Sequence, residues 1–156
     1  MLFRSTGESA QLWRRQGDHR VCVAAAERPS GLRDTIPIGS QLTMRAGSAA
    51  QVLLAWDDPE RIHRGLQNSA FSAAELSAIR RRDWAQSVGE REQGVASVSA
   101  PVRSPGGKVI AAVSVSGPLE RLSRQPGRMH APAVLAAAER LSESLRRAAE
   151  IGRAHV

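Results

Sequence analysis

An α+β domain built on an antiparallel sheet is the fold class this sequence predicts, and three observations predict it. Two pairs of short apolar segments are joined by turn chemistry, at Gly17-Asp18 and at Ser104-Pro105-Gly106-Gly107, which is how antiparallel strands connect. Helical segments are grouped between these hairpins instead of alternating with single strands. At 156 residues, 42% hydrophobic and 24% charged, the chain has the material for one core, and it contains no apolar run of the ~20 residues needed to span a membrane. Collagen-like, coiled-coil and strongly disordered classes are excluded by the same composition.

The elements follow in order. Ser9 to Gln16 and His19 to Ala25 flank Gly17-Asp18, and Gly accepts the positive φ of a two-residue turn, so a first hairpin is expected there. Gly31 to Ile38 reads as extended; Pro37 removes a ladder donor and confines it to a short or edge strand. Ala49 to Trp56, after Ala46-Gly47-Ser48, is a compact apolar helix stopped by Asp57-Asp58-Pro59. Asp58 then caps a helix with Pro59 at its first position, and Gly65 is expected to end it. Ser72-Ala73-Ala74-Glu75 is a capping box, opening a helix with Leu76 and Ile79 on one side and Arg80, Arg81 and Arg82 at its C-terminus, where cations complement the dipole. Trp84 to Val88, Ala96 to Arg103 and Val109 to Ser116 are expected strands. A last helix is expected from about Pro132, with Val134, Ala138, Leu141 and Leu145 spaced to pack on the sheet.

Charge and termini bound the function. The 22 basic against 15 acidic residues give +7, which suggests a nucleic-acid partner. Every base except Lys108 is Arg, however, and the Arg residues are scattered along an Ala-rich chain, which fits GC-rich coding as well. The single cysteine, Cys22 between Val21 and Val23, excludes an internal disulfide, reads as a buried strand residue and fits a reducing cytoplasm. No signal peptide opens the chain. The first strand follows Met1 without a leading helix, and Glu150 to Val156 resemble the translation of a sequencing-adapter read-through, although a frayed helix end would read similarly. The expected organisation is therefore an N-terminally truncated domain over 1–149 and a non-native tail over 150–156.

Alternation in the second hairpin carries the most functional information. One face of Val109 to Gly117 presents Val109, Ala111, Val113 and Val115, the other Ile110, Ala112, Ser114 and Ser116. Ala96 to Arg103 likewise sets Ala96, Val98, Ala100 and Val102 against Ser97, Ser99 and Pro101. A solvated sheet face would carry long charged side chains, so a small hydroxyl-bearing face implies close approach by a packed helix or by a small ligand. The helix opening at Ser48 presents the backbone amides of Ala49 and Ala50, which can hold a carboxylate without a cationic side chain; such openings are common, and Ser48 reads first as an ordinary N-cap. Amides for the anion and hydroxyls for orientation suit a small organic acid.

Enzymatic readings lack their residues. There is no Gly-x-Ser-x-Gly elbow, and His19, His63, His130 and His155 have no partner at metal-ligand spacing, so neither a metal nor another cofactor is expected. Glu90-Arg91-Glu92, beside Gly94, reads as an exposed loop. Trp13, Trp56 and Trp84 sit in apolar elements and are expected in the core. Two alternatives stay open: a basic protein that binds nucleic acid itself, and a small hydrolase using one of the clustered serines.

An ordered set of motifs then narrows the choice. Thr6-Gly7-Glu8-Ser9, Glu27-Arg28-Pro29-Ser30-Gly31-Leu32-Arg33, Ala46 to Ala55, Gly94 to Arg103 and Ala111 to Pro118 together resemble the effector-binding domain of IclR-type transcriptional regulators, in that family's order and across nearly all of Thr6 to Leu145. The resemblance implies a GAF-like fold, a curved antiparallel sheet flanked by helices, whose concave face holds a small-molecule effector. It implies effector contacts at Ser48, Ala49, Ser87, Ser97, Ser114 and Ser116. It also implies operator binding through a winged helix-turn-helix domain ahead of this region, a homodimer or homotetramer in the full-length protein, and a cytoplasmic, non-enzymatic role. Three positions depart from the family pattern: Ser97 stands where many members have Cys, Ser87 where an Asp is common, and Ala50-Gln51 where a Gly-Lys pair is common. Fewer charged groups in the pocket imply an effector different from the keto acids and aromatic acids typical of the family.

Overall fold

The computed structural model describes residue 2 and residues 6–154. The first hairpin is β1 (Ser9–Gln16) and β2 (His19–Ala26); β3 (Gln41–Thr43) follows a long loop and adds to the outer edge of β2. Three helices come next, α1 (Ser48–Ala55), α2 (Pro59–Leu66) and α3 (Ala73–Arg82), then strands β4 (Ala85–Val88), β5 (Val95–Arg103) and β6 (Val109–Pro118). A short α4 (Leu119–Leu122) and the long α5 (Pro126–Ala154) complete the chain. The six strands curl into one antiparallel half-barrel sheet in the order β3-β2-β1-β6-β5-β4, so pairing of β1 with β6 unites the two hairpins. Both edge strands are very short, which limits unpaired backbone at the sheet margins.

The two faces of the sheet have different partners. Val98, Ala100, Val102, Ala111, Val113 and Val115 meet α5 through Ala131, Val134, Ala137 and Ala138, and Leu2 packs against the same cluster. The opposite face, with Trp13, Cys22, Ala85 and Ala112, lies under α1 and α3. Leu76 and Ile79, the apolar side of α3, are completely buried there, each worth about 1.5–3 kcal/mol of burial. Local signals fix the helix starts. Asp58 accepts the Arg61 N–H at 2.9 Å to cap α2, and at α3 Ser72 and Glu75 exchange the two hydrogen bonds of a capping box, each at 3.2 Å. Cys22 is a free, fully buried thiol.

Several expectations are corrected. Gly31 to Ile38 is not a strand: Ile36 anchors this loop in the core by its side chain, and the edge of β2 at Cys22 is instead paired by Gly39 N–H and Ser40 C=O. Gly65 does not end α2 but lies inside it, because a Cβ there would fall 2.8 Å from Leu54 Cδ2 of the adjoining α1. The last helix starts at Pro126, which takes the helix-opening role expected of Pro132; Pro132 lies early in the helix interior. Leu141 and Leu145 are 38% and 36% exposed, since β5 ends at Arg103, whose N–H is held by Ser142 Oγ, and the helix beyond has no strand to cover. Trp13 is buried, whereas Trp56 and Trp84 are only half-buried, with the guanidinium groups of Arg103 and Arg82 over their rings at 4.9 and 3.7 Å. In the arginine triplet, Arg80 donates to Ala55 C=O at 2.7 Å and so ties α3 to the end of α1. No leading helix was expected, yet Leu2 and Thr6 are helical and Thr6 Oγ1 donates to Leu2 C=O at 3.1 Å; residues 150–154 continue α5 without a break, and residues 1, 3–5, 155 and 156 lie outside the described residues.

Candidate functional site

Strand register brings the serines together. Ser87 pairs with Ser97 and Ser97 with Ser116 across one rung of the sheet; Ala85, Ser99, Ser114 and Gln11 form the next. Because side chains alternate along each strand, all of these point to the face covered by α1. Ser48, in the first turn of α1, descends between the two rungs, its hydroxyl 2.6 Å from Ser97 Oγ and 2.7 Å from Ser99 Oγ. Ser87 Oγ lies 2.7 Å from Ser97 Oγ, and Ser114 Oγ 2.5 Å from Ser99 Oγ. The outcome is one chain of five hydroxyls, Ser87, Ser97, Ser48, Ser99 and Ser114. Ser116 stands apart from it, its hydroxyl held by the Gln11 amide at 3.0 Å.

Both a helix and hydroxyls therefore occupy the small-residue face. Each serine carries one proton, so the chain can be satisfied with all donors running in either direction, and an acceptor at one end would set that direction. Ser48 is not the N-cap. Gly47 holds that position with φ 101°, which leaves the Ser48 hydroxyl free to reach the sheet. The first helical bond is Gln51 N–H to Gly47 C=O at 3.2 Å, so the amides of Ser48, Ala49 and Ala50 precede the helical ladder. Ser48, Ala49, Ser87, Ser114 and Ser116 are buried and Ser97 half-buried, and in this state their direct contacts fill the space between helix and sheet.

Two charged groups stand beside this cluster, Glu90 and Arg20, the first expected in an exposed loop and the second carrying no motif. Glu90 does not project from an exposed loop. Its carboxylate accepts the Gly47 N–H at 3.1 Å, and Gln51 Nε2 reaches its two oxygens at 3.1 and 3.0 Å. Burial pushes the Glu90 carboxyl up from its ordinary pKa, against the opposing pull of the Gly47 and Gln51 donors. Arg20 is 2% exposed, its Nη1 bonded to the carbonyls of Thr43 and Ala46 and its guanidinium 5.0 Å from the Trp13 ring centroid. Burial, with Arg91 nearby, pushes its pKa down to about 10. Signals for both existed. The first turn of α1 contains no acidic residue, so its positive end takes a carboxylate from elsewhere, and Arg20 alternates with the buried Cys22 on β2. Among the described residues no three His, Cys, Asp or Glu side chains converge as metal ligands.

A larger groove, of about 1230 Å³, lies apart from the serines, between the β1–β2 turn and α2. Its walls include Arg14, Arg45, Arg64 and Lys108, and none of the six expected effector contacts lines it.

Sequence and structure comparisons agree with this architecture. A family profile described as the C-terminal region of the bacterial transcriptional regulator IclR matches residues 1–143. The chain is 30% identical to the HTH-type transcriptional regulator BhcR of Paracoccus denitrificans over 90% of its own length and 55% of that protein's. It is 29% identical to a glycerol operon regulatory protein of Streptomyces griseus, covering 78% of this chain and 52% of the relative. The chain thus spans about half the length of the curated relatives it matches. In fold it superposes on the IclR of Thermotoga maritima with a TM-score of 0.82 at 21% identity, over 93% of this chain and 64% of the other. No helix among the described residues is long and apolar enough to cross a membrane. The chain belongs to the IclR family of bacterial transcriptional regulators and carries that family's C-terminal domain.

Proposed function

We propose that this domain senses a small organic acid on behalf of a DNA-binding region elsewhere in the regulator, and that the acid binds where α1 meets the serine chain. The observation that carries this reading is the convergence of five serine hydroxyls on the N-terminal turn of an eight-residue helix. The Gly47 N–H, now taken by Glu90, and the amides of Ser48, Ala49 and Ala50 that follow it offer donors to a carboxylate, and Ser87, Ser97, Ser114 and Ser116 offer hydroxyls to the rest of the molecule. Trp13, Ala85 and Ala112 provide an apolar floor on the same face. A small polar metabolite is also in keeping with a relative named for the glycerol operon.

Binding, not hydrolysis, fits the chemistry of the cluster. The partners of its hydroxyls are other hydroxyls, and among the described residues no imidazole or carboxylate is positioned to take a serine proton. The effector alters DNA affinity only as far as it discriminates between two states of the regulator, which acts in the cytoplasm as a homodimer or homotetramer with an upstream winged helix-turn-helix.

The test is a thermal-shift screen of small carboxylic acids on the chain and on Ser114→Val and Ser116→Val. An acid at 100 times its Kd stabilises by about 2.7 kcal/mol. Loss of that shift in the variants supports the site; no shift in the unaltered chain, or equal shifts in all three proteins, overturns it. The groove with Arg14, Arg45, Arg64 and Lys108, none of them in an ion pair among the described residues, favours a second reading in which this domain itself contacts nucleic acid. That reading requires DNA affinity of the chain alone to fall steeply with salt, by about 0.9 log units per log unit of salt for each phosphate contact.

A further inference from the structure

We infer that Glu90 is a tethered stand-in for the effector's carboxylate, and that the β4–β5 loop carrying it is a plug which an incoming anion must displace. The inference rests on the effector-binding reading above and names how that site is controlled.

Three observations carry it. First, a carboxylate already sits at the positive end of α1. Glu90 takes the Gly47 N–H at 3.1 Å and is gripped through both oxygens by Gln51 at 3.1 and 3.0 Å, the ligation a free acid would seek there. Second, the positive charge at this place is not fully answered by Glu90. Arg20 lies against Gly47 so closely that a Cβ on that glycine would fall 2.8 Å from Nη2. Among the described residues its buried Nε has no hydrogen-bond partner and its guanidinium forms no ion pair. A buried guanidinium beside a helix N-terminus is a standing demand for an anion. Third, the loop is fastened on two sides. Between Gly89 and Gly94, Glu90 turns inward to α1, while the next residue, Arg91, reaches Asp34 on the β2–β3 loop at 2.5 Å. Asp34 is itself buried, close in sequence to the core residue Ile36.

Two carboxylates cannot share the Gly47 and Gln51 donors without strong like-charge repulsion. A bound acid therefore expels Glu90, pulls Arg91 away from Asp34 and loosens the β2–β3 loop from the β4–β5 loop. A neutral ligand has no such leverage, so the device discriminates in favour of anions and converts their binding into movement of two loops. Burial that already disfavours ionised Glu90 lowers the cost of releasing it to water.

The experiment is an amide-resolved NMR titration of the full chain with sodium acetate, the simplest probe that presents a carboxylate, against sodium chloride at equal ionic strength. Glu90→Ala and Arg91→Ala are titrated alongside. The expected result is acetate-specific shifts at the amides of Gly47 and Ala49, with half-saturation about tenfold lower in Glu90→Ala, a change of 1.4 kcal/mol. Arg91→Ala, which unfastens the loop but keeps Glu90, lowers half-saturation by a smaller factor. In the unaltered chain acetate speeds amide exchange over residues 89–94. If the Gly47 and Ala49 amides respond but half-saturation is the same in Glu90→Ala, the plug is overturned and the effector site stands. If those amides are silent towards acetate in all three proteins, the plug falls together with the effector site. Should Glu90→Ala fail to fold, Arg91→Ala decides, and an unchanged half-saturation there overturns the plug.

Discussion

Removing the Ser99 hydroxyl tests the serine chain at its most buried link. Ser99 is fully buried and bridges Ser48 at 2.7 Å and Ser114 at 2.5 Å. In Ser99→Ala, Ser48 keeps Ser97 at 2.6 Å, but Ser114, 3% exposed, loses its hydroxyl partner. A stranded buried hydroxyl costs about 1–3 kcal/mol, whereas Ser114→Ala leaves Ser99 bonded to Ser48 and forfeits only the net worth of one bond, about 0.5–1.5 kcal/mol. The double variant strands no hydroxyl, so its cost is expected to fall short of the sum of the singles by about 1 kcal/mol. Urea unfolding of the four proteins gives the cycle, and thermal melts check it at about 2–4 °C per kcal/mol for a domain of this size. If Ser114→Ala costs as much as Ser99→Ala, or if the two effects add, the hydroxyls do not form a bonded chain.

Three further outcomes follow from packing and charge. Gly65→Ala is expected to destabilise by about 1 kcal/mol, because overpacking against Leu54 Cδ2 at 2.8 Å, worth about 1–3 kcal/mol, outweighs the gain in helix propensity of about 1 kcal/mol; an unchanged melting temperature would show that Leu54 repacks freely. Arg121→Ala leaves the Glu8 carboxylate, 2% exposed, without its cation and is expected to cost about 3 kcal/mol, with Glu8→Gln/Arg121→Ala recovering part of that loss; denaturant midpoints that do not recover refute the ion-pair account. Burial pushes the His130 imidazole below its ordinary pKa, with Glu8 opposing. The fold thus holds the neutral form, so the contribution is complete above the unfolded value of 6.5 and is lost as pH falls from there through the folded pKa. His130→Gln is expected to flatten melting temperature against pH in that acid range, and an unaltered profile would rule out this histidine as the titrating group.

The sequence by itself determined the local structure and the composition of the site. Both hairpins, the Asp58 and Ser72 caps, and the buried apolar and hydroxyl faces of β5 and β6 are set by neighbours one to four residues apart, through turn chemistry, capping hydrogen bonds and strand alternation. Segments whose fate depends on distant partners were not legible in this way. Gly31 to Ile38 has the residues of an edge strand, yet the outer side of Cys22 is taken by Gly39 and Ser40. Leu141 and Leu145 keep helical spacing on α5, but the sheet ends before them. Glu90 has the same physical reason on a larger scale. Beside Arg91 and near a turn at Gly94, its charge reads as solvated. Only the register of β4 against β5, together with the descent of α1 onto the sheet, brings Gly47 and Gln51 within hydrogen-bond distance of it, 43 and 39 residues away in the chain. Alternation decided which side chains could face an effector. That the Glu90 carboxylate stands at the N-terminal turn of α1 is a through-space contact between helix terminus and loop, and only the tertiary structure decides it.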